Sequence, residues 1–590
     1  MLHARTLVRT GRAAVRGGVA TSLVVAAGLA VVAPAPAVPP PAGSGQPALD
    51  AQVTAAQWRE DLRTMVAEME RRHPNLYHTV SRERFAAAVA DLDARIPRLR
   101  RHEVIVGMMR LAALVGDGHT NVSPLKDARF GFRALPIQLH RFDDGVYVRA
   151  AAPAHAALVG ARVEAVGGVP VAEALRRANE VSPRDNAFTL AFYEPLYLAM
   201  PAIVHAVGLA PGPDAVSFTL ARGGRRWTAV VPAGEVPPLW PADTDVSLVT
   251  PAGWVDARTT PPPLWLQAPL APHRLVELTD VPGAAGARRP AVYAQLNMVT
   301  GTSGQSLDAF GEAIAQRART TGARLIVLDV RLNRGGNGDL RNGLVRALIR
   351  AEDDSTRLFV LTARGSFSAT QFLLDDLARL TGAVLVGEPA ASAPNGYGDS
   401  YRVVLPNSGL TVRVSTRWHQ AAHRPRPWTP VDVAVPYTFA DHAAGRDPVL
   451  AAALAHRPVP SLVERVLAAA RGAAGAAGAA GAGTGEVGVL REWHAYRDEP
   501  RHRYQDLARL IVRAAAALHG ARFGAEGVAL LEAGGREFPD HPDVFAALAL
   551  LAEQNGRREV ARRAAARALA LDVNERTARA VLDRLQALPR

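Results

Sequence analysis

Ser368 ends a short turn, Thr362-Ala-Arg-Gly-Ser-Phe-Ser368, and stands directly before a stretch that carries Leu373, Leu377 and Leu380 on one helical face. A serine at a helix start is surrounded by backbone N–H groups that no turn of helix uses. A second group of free amides is expected from the glycine-rich turn Arg331-Leu-Asn-Arg-Gly-Gly-Asn-Gly338. Two such sets of donors around one hydroxyl can hold a developing oxyanion, and each preorganised donor lowers a barrier by roughly 3–4 kcal/mol. The other reading is that Ser366 and Ser368 cap the helix, the commonest work of serine at that place. Residue types and topology leave both open.

The elements that would position these groups can be read from the apolar runs. Residues 325–330 are a continuous apolar run of strand length, as expected for a strand buried on both faces. Residues 340–351 read as a helix, 357–361 as the next buried strand, and 383–386 as a third, ending in Gly387-Glu388-Pro389. Strands joined by helical crossovers make a parallel sheet, and ligands of such sheets sit beyond the carboxyl ends of the strands. The Gly335-Gly336 turn and Ser368 both fall there. Residues 291–297 add a strand and 306–320 its crossover helix.

Leu328-Asp-Val-Arg-Leu-Asn-Arg-Gly-Gly336, Gly365-Ser-Phe-Ser-Ala369 and Leu385-Val-Gly-Glu-Pro389 resemble, in order and spacing, the tail-specific (C-terminal processing) serine proteases and the tricorn protease core. The resemblance implies a crotonase-like α/β core with Ser368 as nucleophile. It also implies an oxyanion hole built from the backbone of Ala369 and of Gly335 or Gly336. Gly116-Asp-Gly-His-Thr120 is by itself a turn histidine, a residue type more often structural than catalytic. It also resembles a motif of the tricorn-like branch, which makes His119 the expected general base. The processing proteases use a lysine shortly after the Gly-Glu-Pro turn. Here that place falls near Ala393, and Lys126 is the sole lysine of the chain, so a Ser-His arrangement is expected instead. In the related pattern an acid follows a Tyr-Gly pair, and Asp399 occupies that position. Asp399, Asp432 and Glu388 compete to orient the imidazole; Asp399 is the choice, and the spacing does not decide among them.

The rest of the chain frames this core. Its 590 residues are 48% hydrophobic, enough for three or four packed domains. There is no cysteine, which excludes disulfides and thiolate metal sites. The net charge of +13 reflects arginine used nearly everywhere in place of lysine. No basic run is interleaved with aromatics, so a nucleic-acid groove is not expected. Residues 1–37 read as a signal peptide: four arginines, an apolar stretch too short to span a bilayer, and Ala-Pro-Ala cleavage positions. This predicts an exported protein, periplasmic or extracellular, with no integral span once the signal is removed, or a tethered one if it is not. Residues 38–49 are a Pro/Gly/Ser linker.

Residues 50–133 are expected to form a helical domain carrying the histidine motif, with Trp58, Leu62, Met65 and Met69 on one face. Residues 134–235 read as a small β-rich domain whose order resembles a PDZ-like module, which would either hold an extended peptide or pack against the core. Residues 236–290 form a Pro/Gly-rich connection containing Trp240, Trp254 and Trp265, and 291–458 the catalytic core. A Gly/Ala linker spans 459–486. Residues 487–590 are helical with a period of about 34 residues, which resembles tetratricopeptide repeats. That end would dock a protein partner or act as a helical cap on the enzyme.

Several chemistries are excluded. His102-Glu103 lacks the second histidine of a zinc-protease helix, no Gly-x-x-x-x-Gly-Lys loop exists, and no Gly-x-Ser-x-Gly frames Ser368. No metal or cofactor is implied. The sequence therefore reads as an exported α/β serine peptidase acting on peptides or protein tails. The alternatives are an apolar-ligand-binding protein on the same fold, or a scaffold that works through its C-terminal helices.

Overall fold

The computed structural model describes residues 53–125, 127–234, 248–282, 288–353, 355–476 and 484–587. The expected export segment and tether, Lys126, Trp240 and part of the Gly/Ala linker lie outside them. Among the described residues no helix is long and apolar enough to cross a membrane.

Three helices come first: α1 (Ala55–Arg72), α2 (Arg82–Arg95) and α3 (Arg101–Val115). Thr54 starts α1 with a capping box, its hydroxyl accepting the Gln57 N–H while the Gln57 side chain accepts the Thr54 N–H. Trp58, Leu62, Met65 and Met69 are all buried, as their helical spacing requires. α3 is buried along most of its length and stops at Gly116, whose φ of +83° turns the chain away from the helix. β1 (Asn121–Val122) follows that turn.

An antiparallel sheet comes next, built from β2 (Ile137–Phe142), β3 (Gly145–Ala151), β4 (Arg162–Val166) and the short β5 (Val169–Pro170). Helices α4 (Val171–Ala178), α5 (Ala187–Leu198) and α6 (Pro201–Ala206) precede β6 (Ala215–Arg222) and β7 (Arg225–Pro232). The strand order is β2-β3-β4-β6-β7, with β5 on β4 and β8 (Val255–Asp256) on β3. The sequence reading has no counterpart for α5 and α6. Most of α5 is buried, including Thr189, Phe192, Glu194 and Tyr197, so the polar stripe that marks a surface helix is missing.

The core is a six-stranded sheet. Its elements in chain order are β9 (His273–Pro282), β10 (Arg288–Leu296), α7 (Leu307–Thr321), β11 (Leu325–Asp329), α8 (Arg341–Ala351), β12 (Arg357–Thr362), α9 (Ala369–Leu380) and β13 (Val384–Gly387). Four strands belong to the smaller sheets, β14 (Asn395–Gly398), β15 (Tyr401–Val404), β16 (Thr411–Val414) and β17 (Arg417–Gln420), and β18 (Val433–Ala434) forms the edge of the core. The core order is β18-β13-β12-β11-β10-β9, all pairs parallel except β10 with β9.

Alternation along these strands feeds two apolar layers. Val292, Ile326, Leu328, Val360 and Leu385 pack with Leu344 of α8 and Leu373 and Leu377 of α9. Tyr293, Val327, Phe359, Leu361 and Val386 face Val449 and Ala453. The latter two lie on α11 (Pro448–Leu454), which follows α10 (Phe439–Ala443). The β15–β16 hairpin leaves this core altogether. Its Val403, Val412 and Val414 share a buried cluster with α1 and α3, and β16 pairs with β1.

Among the described residues seven helices follow: α12 (Leu462–Ala476), α13 (Thr484–Asp498), α14 (Leu507–Gly520), α15 (Gly524–Glu537), α16 (Pro542–Gln554), α17 (Arg558–Leu571) and α18 (Arg576–Ala587). They share one apolar cluster that includes the fully buried Trp493. Arg424, on the loop before β18, reaches into them and pairs with Asp543 and Asp572, each at 2.6 Å.

The end of β11 is fixed by charge. Buried Arg331 pairs with Asp329 at 2.6 Å and with Asp447 at 2.7 Å, and its guanidinium lies 4.2 Å from the Trp265 ring centre. Removing one member of a buried network strands the others, so Arg331→Ala is expected to cost about 3–5 kcal/mol. Urea unfolding checks this; a loss below about 1 kcal/mol would mean that the network adds no stability.

Candidate active site

β12 ends at Thr362, and the chain reaches α9 through a tight turn in which the Ser366 N–H donates to the Ala363 carbonyl at 2.8 Å. The Ser366 hydroxyl is fully buried and donates to the Val330 carbonyl at 2.8 Å, tying the turn to the end of β11. Ser368 then takes φ 58° and ψ −122°, a conformation that costs a non-glycine residue about 1–3 kcal/mol. It occupies the cap position of α9, but its side chain accepts no N–H of the helix. The hydroxyl instead lies 2.9 Å from Nε2 of His119.

The glycine turn passes directly beneath. A Cβ on Gly335 would lie 2.8 Å from the Ser368 Cβ and 3.0 Å from the Ala369 nitrogen. One on Gly336 would meet the Val299 carbonyl oxygen at 2.4 Å, and both residues have φ above +100°. Only glycine fits either place. The three expected oxyanion donors are not equivalent. The Gly335 N–H is already donated to the Asn333 side chain at 2.9 Å. The N–H groups of Gly336 and Ala369 have no acceptor among the described residues.

His119 arrives from α3 through the Gly116 turn. Asp117, itself buried, organises this loop: its Oδ1 accepts the backbone N–H of His119 at 2.8 Å and of Thr120 at 2.6 Å, and the Ser415 hydroxyl at 2.7 Å. Its Oδ2 accepts from His73 Nε2 at 3.1 Å. The imidazole of His119 stacks on Phe367, ring centres 4.7 Å apart. Its Nδ1 is buried and has no hydrogen-bond partner among the described residues.

None of the three candidate acids bonds to His119. Glu388 is engaged by Arg364 in a two-pronged ion pair with a closest approach of 2.6 Å. Asp432 accepts the Leu385 N–H at 2.9 Å. Asp399 is half-exposed and sits 3.1 Å from Arg417 and 3.7 Å from His419. It is the candidate whose charge reaches His119, because the preceding Gly398 lies against the imidazole, with 3.8 Å from its Cβ position to His119 Cε1.

Burial pushes the His119 pKa below its ordinary value; Arg334 and His419 push the same way, while Asp117 and Asp399 oppose them. The imidazole is thus neutral near pH 7 and free to accept a proton. Burial would raise Asp117, but the hydrogen bonds from His73, Ser415 and Thr120 outweigh it and hold the carboxyl at about 2. A second carboxyl, Asp185, is pushed up to about 7 by burial and by the nearby Asp117. Its Oδ1 accepts the Gly118 N–H at 2.6 Å, and it is hydrogen-bonded to Ser392, whose hydroxyl accepts the Ser368 N–H at 3.0 Å.

Asp185, Ser392, Asn333, Ser415 and Arg334 are site residues that the sequence reading does not single out. Asn333 is fully buried between the two turns, its carbonyl accepting the Phe367 N–H and its side chain donating to the Leu296 carbonyl at 2.9 Å. The signal available was its place inside the glycine-rich turn.

No family model and no curated protein matches the chain. Solved structures do. Mature CPAF in complex with lactacystin is similar over 66% of this chain and 96% of its own, at 12% identity and a TM-score of 0.47. The photosystem II D1 C-terminal processing protease is similar over 64% and 93%, at 17% identity and a TM-score of 0.33. The tricorn protease is similar over 67% of this chain and 36% of its own, at 13% identity and a TM-score of 0.27. Likeness this distant carries no chemistry by itself.

Two outcomes are expected from this geometry. Ser368→Gly removes the strain at φ 58° and should raise stability by about 1 kcal/mol in urea unfolding, whereas no change would mean the backbone there is relaxed. The Asp117 pKa is lower folded than unfolded, so its contribution is complete above about pH 4 and disappears as pH falls through about 2. Asp117→Ala should therefore flatten the acid limb of the stability curve between those values and leave the alkaline limb in place.

Proposed function

We propose that this chain is an exported serine peptidase that cleaves peptides or protein tails through Ser368 and His119. The observation that carries the reading is the strained serine whose hydroxyl caps nothing and lies 2.9 Å from the Nε2 of a histidine held neutral by burial. Strain of this kind is costly and persists where the surrounding structure holds it for a functional site. In the proposed reaction Ser368 Oγ attacks the scissile carbonyl as His119 Nε2 takes its proton. The oxyanion is held by the N–H groups of Gly336 and Ala369, and Gly335 serves as the point of close approach. His119 then protonates the leaving amine, and water releases the acyl group by the same steps in reverse. Asp399 favours the transient imidazolium through its charge, without a direct bond.

The core is read as crotonase-like, the antiparallel sheet as PDZ-like, and the last helices as tetratricopeptide-like repeats that either bind a partner or cap the enzyme. The Arg424 pairs with Asp543 and Asp572 favour the cap.

Labelling by a neutral fluorophosphonate tests the chemistry. The wild type should label at Ser368, while Ser368→Ala and His119→Ala should lose labelling by at least about a hundredfold. The labelling rate should rise with pH to a plateau, with its midpoint below the ordinary histidine value, because only the neutral imidazole accepts the proton and burial lowers its pKa. Retention of labelling in His119→Ala, or an acid limb centred above pH 7, would overturn the assignment of His119 as base.

A further inference from the structure

Arg334 stands directly before the Gly335-Gly336 turn and is the unusual cation of this region. Its neighbours in the fold are paired: Arg331 with Asp329 and Asp447, Arg341 with Asp376, and Arg364 with Glu388. Among the described residues Arg334 has no ion pair and no hydrogen bond, and its Nη1 is buried without an acceptor. The guanidinium is nonetheless held in place by rings. Its Cζ lies 4.0 Å from the ring centre of Phe192 and 4.6 Å from that of Phe367. Phe367 is the ring on which His119 stacks, and Gly335 touches Ser368. The cation is therefore one aromatic ring from the imidazole and one residue from the nucleophile's contact.

Arg334 is half-buried, and desolvating part of a charge without a partner is costly. Aromatic faces offset part of that cost but leave the fork of N–H donors unused. Asp185 feels the charge of Arg334, but the two form no ion pair.

We infer that Arg334 is the specificity-determining residue of the cleft and takes a carboxylate of the bound substrate beside the scissile bond. This rests on the peptidase reading of the same site. The carboxylate comes either from an acidic side chain or from a free chain terminus; a planar fork suits both equally. α5, which supplies Phe192, is firmly anchored at its start. Its cap Asn186 donates to the carbonyls of Ala390, Ser392 and Pro427, the first two on the loop that follows the Gly-Glu-Pro turn.

The test is binding of matched peptides to the full-length Ser368→Ala protein by calorimetry, which needs no turnover. One pair differs as glutamate against glutamine, the other as free acid against amide at the C-terminus. In at least one pair the carboxylate is expected to bind about tenfold or more tighter, and the pair that discriminates identifies the source. Arg334→Gln should bring that ratio to about 1, and Arg334→Lys, which keeps the charge but not the fork, should retain part of it. Should Arg334→Gln fold poorly, the ratio in the Ser368→Ala protein is still expected to shrink at high salt. A ratio near 1 in both pairs, or one unchanged in Arg334→Gln, overturns the assignment. Failure of the peptidase reading shows separately, as absence of fluorophosphonate labelling at Ser368 in the wild type.

Discussion

The site depends on two backbone turns brought into van der Waals contact. The turn after β11 and the turn after β12 meet at Gly335 and Ser368, and any side chain at Gly335 would push them apart. Parallel pairing of β11 with β12 puts both turns at the same end of the sheet, and fully buried Asn333 holds them in register by bonding to each. The strain at Ser368 is the local cost of that meeting. It is tolerated because Ser366, Ser392 and Asn333 fasten the turn from three sides. Among the described residues, the N–H groups of Gly336 and Ala369 are left without acceptors and available for chemistry.

The histidine is delivered from a different part of the chain. Its loop is not braced by the core sheet but by Asp117, which collects the loop amides, His73 and Ser415. Ser415 follows β16, so the same hairpin that pairs with β1 also fixes the height of His119 above the serine. Asp185 and Ser392 form a second link between the Gly118 and Ser368 backbones. The imidazole is therefore oriented by its backbone, by the Phe367 ring and by Ser368, with the carboxylates acting on it through charge.

How much of this was legible in the sequence follows from what each feature depends on. The strands at residues 325–330 and 357–361 are apolar runs buried on both faces, and burial is what such runs encode. The Gly335-Gly336 turn was legible because glycine marks backbone that a side chain would obstruct. Ser368 and His119 were proposed from short motifs, and the fold brings their side chains together across more than two hundred residues. The helix α5 was hidden because it is buried nearly all round, which removes the periodic signal. Asp185, Asn333 and Ser415 were hidden for another reason: each is an ordinary polar residue whose importance lies only in what it meets. The acid was the least legible element, since three carboxylates follow the core motif and their ranking depends on partners such as Arg364, Arg417 and the Leu385 amide.

The most direct test of the central claim is a crystal structure of the protein after reaction with a fluorophosphonate. The account predicts phosphorus bonded to Ser368 Oγ, with one phosphoryl oxygen within hydrogen-bond distance of the Gly336 and Ala369 nitrogens and the Gly335 N–H still held by Asn333. Phosphorus on another residue, or an adduct at Ser368 whose oxygen turns away from both amides, would contradict it.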